Sequence, residues 1–119
     1  MIQEGKAEKE WYQKAIRSLE SAISDHGRDL DEDEVPPTEE SISGATDFLN
    51  ESSEKLCGVS IPKFSISANG TINLRWKVSD GRVDVSFSGT SMQAFVSTRA
   101  EQKAIERSEV AGRVLALVS

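Results

Sequence analysis

The sequence predicts an α+β fold of order ααββββα: a four-stranded antiparallel meander, two helices packed on one of its faces, and an extra N-terminal amphipathic helix. Two observations support this prediction. Apolar residues recur at helical spacing in the first half of the chain and near its end. Between these regions, residues 63–97 alternate apolar and polar positions, with turn residues separating the runs.

The composition fits one small domain. With 119 residues, 37% of them hydrophobic and 29% charged, the chain can bury one modest core. No apolar run approaches the roughly 20 residues of a membrane span, and the charged start does not resemble a secretory signal. The single cysteine, Cys57, cannot form an internal disulfide, which agrees with a reducing compartment. A cytoplasmic location is therefore expected.

The formal net charge of −6 bears on the kind of partner. The chain has twenty acidic and fourteen basic residues, so as a whole it repels nucleic acid and anionic membranes. Direct nucleic-acid binding is therefore not expected. If charge attracts a partner to this chain, a basic protein is the better fit.

The first helix is predicted over residues 4–24, and His26 and Gly27 are expected to end it. A sheet of four strands is roughly 15–20 Å wide, and two helices of about 10 Å each fill it. The first helix, in region 1–25, therefore packs on an edge, binds a partner or forms a homodimer. Its candidate partner-binding residues are Trp11, Tyr12, Ile16, Leu19 and Ile23.

An acidic linker is predicted over residues 26–37, ahead of an α-ββββ-α domain over residues 38–119. Counted from Asp29 as position 1, the acidic residues of this run and Glu40 at position 12 are spaced like the ligands of a calcium-binding loop. However, Glu34 occupies the position where such a loop needs glycine, and two prolines follow. No metal site and no cofactor are predicted. The run is instead a candidate surface for a basic partner, through Asp29, Asp31, Glu32, Asp33 and Glu34.

The second helix is expected to begin after Thr38, which can cap its first turn, and to end near Cys57. A last helix is predicted over roughly 99–118, because small and apolar residues recur there at helical spacing.

Four strands are predicted from the alternation, and one face of the sheet collects their apolar residues. These are Phe64, Ile66 and Ala68; Ile72, Leu74, Trp76 and Val78; Val83, Val85 and Phe87; and Met92, Ala94 and Val96. The first hairpin is expected to have a three-residue loop over 69–71 with a glycine bulge. Two-residue turns are expected at residues 80–81 and 89–90.

The opposite face is predicted to be polar and rich in serine, with Lys77 opposite Asp84. A small basic patch there, with one aromatic residue, distantly resembles the surface of sheets that bind RNA. A solvated face, or a surface for a protein, is the preferred interpretation. The candidate contacts are Arg75, Lys77, Arg82 and Phe95.

Residues 36–90 resemble a set of small, mostly uncharacterised bacterial proteins. These share a helix ending in a hydrophobic pair, a proline, and a hairpin of the form "dG.i.l.W" followed by a strand of the form "l.v.i...G". The matching residues are Ala45, Phe48, Leu49, Pro62, Gly70, Ile72, Leu74, Trp76, Val83, Val85 and Gly89. The resemblance implies a fold. It also implies that the gene lies beside genes of mobile elements or defence systems.

The predicted function is a non-catalytic, acidic protein-interaction module and not an enzyme. The chain has one histidine, one cysteine and no GxSxG motif. Given the resemblance, the most concrete form is an antitoxin, inhibitor or accessory subunit of a bacterial or phage conflict system. One alternative is a phage protein that mimics nucleic acid and inhibits a basic nucleic-acid-binding enzyme. Another is a calcium-binding or small-molecule-binding protein.

Overall fold

The computed structural model describes residues 3–28, 32–78 and 81–118, apart from the side chains of residues 3–6 and 118. Within these ranges the chain forms three helices and five strands. Two helices precede the strands and one follows them. They are α1 (Gln3–Arg28), α2 (Glu39–Leu56), β1 (Lys63–Ile66), β2 (Ile72–Val78), β3 (Gly81–Ser88), β4 (Ser91–Thr98), β5 (Gln102–Ile105) and α3 (Arg107–Val118).

The five strands form one antiparallel meander in the order β1-β2-β3-β4-β5. The predicted α+β class and element order are confirmed, with one more strand than expected. Along β2, buried and less buried residues alternate strictly, because successive side chains point to opposite faces. One face of the sheet is therefore buried under the helices and the other is exposed.

The fifth strand corrects the prediction that a helix begins near residue 99. After β4, the backbone N–H of Thr98 donates to the carbonyl of Glu101 (2.8 Å), and the Thr98 hydroxyl accepts from the N–H groups of Ala100 and Glu101. This turn reverses the chain, so that β5 pairs with β4. The helical spacing of the alanines had suggested otherwise. The helix begins at Arg107, where the Glu109 carboxylate accepts from the backbone N–H of Glu106 (2.9 Å).

The first hairpin has the predicted type of loop, one residue earlier than expected. The Gly70 N–H donates to the Ser67 carbonyl and the Ser67 N–H to the Thr71 carbonyl, both at 2.9 Å. Gly70 has φ +84°, so it occupies the left-handed position that ends a type I turn with a glycine bulge. This requirement places the glycine last in the loop. As a result Ile66, and not Ala68, pairs with Ile72.

The β2–β3 register differs by two residues from the prediction, because Gly81 belongs to β3 and not to the turn. Its Cα partner is Val78, and Trp76 pairs with Val83. A Cβ at Gly81 would lie 2.0 Å from the Ser97 carbonyl oxygen, so the neighbouring strand approaches too closely for a side chain. A shift of two residues preserves the direction of every side chain, so the apolar residues of β2 and β3 lie on the predicted face. Ala68, which was predicted to share that face, instead lies in the exposed loop after β1.

The β3–β4 turn is confirmed, with Phe87 paired to Met92. Gly89 has φ +59°, whereas no non-glycine residue in the described ranges has a positive φ. A turn in which Gly89 but not Thr90 is left-handed is type II′.

The core lies between the sheet and the helices, and α2 supplies its centre. Thr38 caps this helix by accepting from the Ser41 N–H (3.2 Å), as the sequence predicted. The Phe48 ring packs against Trp76 and Phe87, with centroid separations of 6.4 and 5.7 Å. Such pairs contribute about 0.5–1.5 kcal/mol beyond the area that they bury. α3 packs beside α2 and adds Val110 and Val114 to the core, among others.

The first helix packs within the chain, against α2 and the edge strand β1. Trp11 is 5% exposed, and its indole N–H donates to the Val59 carbonyl at 2.8 Å. The helix continues through Gly27 to Arg28, four residues beyond the predicted end at residue 24. His26 near its end forms a hydrogen bond of 2.9 Å between its Nε2 and the Val35 carbonyl. Of the alternatives left open by the sequence, edge packing is therefore the observed one.

The chain between α1 and α2 is docked on the first hairpin where it reaches residues 35–37. The Val35 N–H donates to the Ala68 carbonyl at 2.9 Å. A Cβ at Gly70 would lie 2.7 Å from the Pro36 carbonyl oxygen. The chain at residues 35–37 is therefore held against the sheet domain, as α1 is.

Replacing Gly70 with alanine is expected to lower the free energy of unfolding by roughly 2–4 kcal/mol. The new methyl group adds the cost of a left-handed backbone to a clash with Pro36. Urea unfolding monitored by circular dichroism measures this loss.

Gly89→Ala is the matched control, because Gly89 has a positive φ but open space around it. It is expected to cost only about 1–2 kcal/mol. If the two substitutions cost the same, the contact between the linker and the hairpin does not stabilise the fold.

Candidate binding face

The sheet face that points away from the helices is called the open face here. The strand register arranges its side chains in three rows that cross the strands. The polar row is Ser65, Asn73, Ser86 and Gln93. The middle row is Lys63, Arg75, Asp84, Phe95 and Ala104. The basic row is Lys77, Arg82, Ser97 and Gln102.

Hydrogen bonds between side chains fix the polar row. The Asn73 amide nitrogen donates to the Ser67 hydroxyl (2.8 Å), and the Ser86 hydroxyl donates to the Asn73 amide oxygen (3.0 Å). These bonds fix the Asn73 amide between the first hairpin loop and β3. This part of the face is therefore a preformed surface of donors and acceptors.

Asp84 is the centre of the charged part of the open face. Its two carboxylate oxygens accept from the Nε of Arg75 (2.6 Å) and the Nε of Arg82 (2.8 Å). The predicted pair of Asp84 with Lys77 is wrong, because the shifted β2–β3 register places Arg75 opposite Asp84. One carboxylate thus orients two guanidinium groups, whose remaining N–H donors are free to face solvent.

The basic row brings two like charges together. Lys77 on β2 is the direct partner of Arg82 on β3, an arrangement that destabilises a sheet. Ser79 and Asp80, which join these strands, lie outside the described residues. A groove of about 690 Å³ runs over this end of the sheet. The basic side chains that line it are Lys63, Arg75, Lys77, Arg82 and Arg99.

Charge is therefore separated within the molecule. Of the 14 basic and 20 acidic residues in the chain, the described part of the open face and its groove holds five basic residues and one acidic residue, Asp84. Among the other residues whose side chains the structure describes, eight are basic and fifteen are acidic. The local potential of this face is positive although the net charge of the chain is negative, because nearby charges dominate the field at a surface.

Phe95 is the one large apolar side chain on the described part of the open face. It is 41% exposed. Its cross-strand neighbours are Asp84, which is occupied by the two arginines, and Ala104, which has no bulk. The Phe95 side chain is therefore partly exposed beside one small neighbour and one neighbour that is engaged elsewhere.

The open-face residues named from the sequence, Arg75, Lys77, Arg82 and Phe95, are all exposed and share this surface. Lys63, Arg99 and Gln102 belong to it as well and were not identified. Lys63 begins β1 on the polar side of the alternation, so the period of two could have placed it. Arg99 and Gln102 were assigned to a helix and could not be placed.

The structure buries much of the candidate partner surface on the first helix. Trp11 and Leu19 are core residues, at 5% and 2% exposure. Tyr12, Ile16 and Ile23 are half-buried and pack against the same core. The buried part of this stripe, Trp11 and Leu19, packs within its own chain against α2 and β1, and binding of a partner through the half-buried residues stays a prediction.

The acidic run is placed only in part. Asp29 and Asp31 lie outside the described residues. Glu32 and Asp33 are exposed. Glu34 is half-buried, and its Oε2 lies 3.9 Å from Nδ1 of His26. Glu34 therefore faces α1 of its own chain.

A second groove, of about 480 Å³, lies between α2 and α3. Arg107 fills part of this region, with its guanidinium 5.7 Å from the centre of the Phe48 ring and 3.0 Å from the Glu51 carboxylate. Two basic residues, Lys55 and Arg107, and two acidic residues, Glu51 and Glu106, line this groove, so its charges balance. The open face, where five basic residues share one acid, is the stronger candidate for binding.

Comparison with protein-family models, with curated proteins and with solved structures finds no match to this chain. Within residues 3–28, 32–78 and 81–118, no three His, Cys, Asp or Glu side chains come together as metal ligands would. Over the residues described for them, none of the three helices combines the length and apolar character needed to cross a bilayer.

Replacing Lys77 with glutamine is expected to raise the free energy of unfolding by about 0.2–1 kcal/mol, because it removes the repulsion with Arg82. Thermal or urea unfolding at low ionic strength measures the gain. At roughly 1 M salt the gain is expected to disappear, since screening removes the repulsion in the native protein as well.

Lys14→Gln makes the same change at an exposed position of α1, where lysine and glutamine have similar helix propensities. It is expected to leave stability unchanged. A loss of stability in Lys77→Gln would mean that Lys77 is held by an attractive contact and would remove the basis for calling the row repulsive.

Proposed function

We propose that this protein is a non-catalytic binding module whose open face holds an anionic partner. The observation that carries the proposal is the separation of charge, with five basic residues around one acid on a flat sheet face of an otherwise acidic chain. Positive potential confined to one face attracts an anion and orients it, while the acidic remainder repels it elsewhere.

The chemistry of the face suits phosphate, sulfate or carboxylate groups. Arg75 and Arg82 each use Nε to bind Asp84, which leaves their terminal nitrogens as donors. A guanidinium with two free N–H donors in a plane binds such oxyanions through two parallel hydrogen bonds. Asp84 therefore supports binding by orienting both arginines and opposes it by its own charge.

The like-charge pair in the basic row gives the face a second reason to bind an anion. Lys77 and Arg82 repel each other in the free protein. An anion between them relieves that repulsion, so part of the binding free energy is stored in the fold. This is the trade of stability for function that binding surfaces commonly make.

The proposed partner is anionic, whereas the net charge alone led us to expect a basic protein. The sequence also predicted a biological role for the module. That role is an antitoxin, an inhibitor or an accessory subunit of a conflict system. It stays a prediction of the resemblance, and a mimic of nucleic acid and a calcium or small-molecule sensor stay alternatives.

Binding to heparin, a flexible polyanion, tests the proposal by calorimetry at several salt concentrations. The double variant Lys77→Glu, Arg82→Glu is expected to lose binding by ~10-fold or more, because two attractive charges become repulsive. Asp84→Asn is expected to bind several-fold more tightly than the parent, since it removes the opposing charge and frees two guanidinium groups.

The matched control is Lys14→Glu with Arg17→Glu, which makes the same charge change on exposed residues of α1. This variant is expected to keep most of the affinity. Equal losses from both double variants would show that only net charge matters, and the open face would then not be the binding site.

A further inference from the structure

We infer that the anionic partner is a single-stranded nucleic acid, with phosphates along the basic row and one base stacked on Phe95. This inference rests on the proposed function, because it names the partner that the same face takes. Its additional evidence is an exposed aromatic ring beside the cationic groove, on a surface that is otherwise polar.

The surroundings of Phe95 leave room for a flat ligand. Ala104 across the strand pair on one side is small, and Asp84 on the other side is drawn toward the two arginines. The next residues of β4 on the same face are Gln93 and Ser97, which are polar and modest in size. The ring is therefore available for stacking, and base–aromatic stacking is tolerant of sequence because every base has a π face.

The cations are placed where the phosphate group of a nucleotide stacked on Phe95 would lie. Arg82 pairs with Ser97, so it is a diagonal neighbour of Phe95, and such neighbours have Cα atoms about 7–8 Å apart. Cations lie on one side of the ring and the hydrogen-bonding polar row lies on the other. A base on Phe95 can thus direct its phosphate toward Arg82 and Lys77 and its polar edge toward Gln93 and Ser86.

The same features distinguish a single strand from other polyanions. The bases of a duplex are stacked inside it, and a flat sheet face has no helix to enter a groove. An acidic peptide would use the cations but would gain nothing from a stacking ring. Phe95 is therefore the residue that separates these partners experimentally.

The test is fluorescence anisotropy with a labelled single-stranded DNA of about 12 nucleotides, within the usual range of single-strand site sizes. The comparison ligands are an abasic strand of equal length, the corresponding duplex, and polyglutamate. Phe95→Ala is expected to weaken binding to the base-bearing strand ~10-fold, the size expected for one stacked base. Binding of the abasic strand is expected to be unchanged by this substitution. Phe95→Trp, which keeps a larger ring, is expected to retain or improve binding.

Each outcome has one meaning. If Phe95→Ala has no effect, and the abasic strand or polyglutamate binds as well as the base-bearing strand, the inference is overturned while anion binding stands. Tighter binding of the duplex than of the single strand also overturns it. If none of these polyanions binds, and heparin does not bind either, the proposed function fails with it. Circular dichroism checks that Phe95→Ala is folded, which its exposed position leads us to expect.

Discussion

All three helices pack on the same face of the sheet, and the rest of the structure depends on this constraint. α2 and α3 cover the central strands, and α1 is held over the edge strand β1 by Trp11 and its hydrogen bond to Val59. Burial of an indole ring of this size contributes several kcal/mol, which is enough to keep α1 on its own chain. No described helix is left to cover the other face, so that face meets solvent and carries the polar half of every strand.

The alternation in the sequence was sufficient to predict which residues share the open face. Two turns were misplaced, yet Arg75, Lys77, Arg82 and Phe95 were assigned to the correct side, because both register errors were shifts of two residues. The registers themselves depend on distant contacts. Gly81 begins β3 at a point where the Ser97 backbone is too close for any side chain, and no local pattern reveals that approach.

The fifth strand and the path of the linker were not predictable for the same reason. β5 exists because a turn at Thr98 brings four residues of weak preference against the free edge of β4. Local spacing favoured a helix there, and pairing with an existing strand outweighed it. Likewise, Val35 and Pro36 of the linker dock on a hairpin that is more than thirty residues away in sequence, and no local pattern indicates that contact.

Net charge is an average over the whole surface and does not describe the charge of one face. The sequence count of −6 pointed to a basic protein. The fold instead gathers basic residues from four successive segments onto one groove and places most acids elsewhere. Fields at a protein surface are set by charges within about 8–10 Å at physiological salt, so the field at the open face follows this local grouping and not the net charge. Asp84 moderates the grouping and gives the arginines a fixed geometry.

Nuclear magnetic resonance of the arginine side chains tests most directly whether the open face is the anion-binding site. The measurement follows the Nε–H signals during titration with a short heparin fragment. The signals of Arg75 and Arg82 are expected to shift together and to saturate, because their guanidinium groups form the proposed site with Asp84. Those of Arg17 on α1 and Arg107 on α3 are expected to stay in place. Saturable shifts confined to the helix arginines, with Arg75 and Arg82 unmoved, would contradict the assignment of the open face.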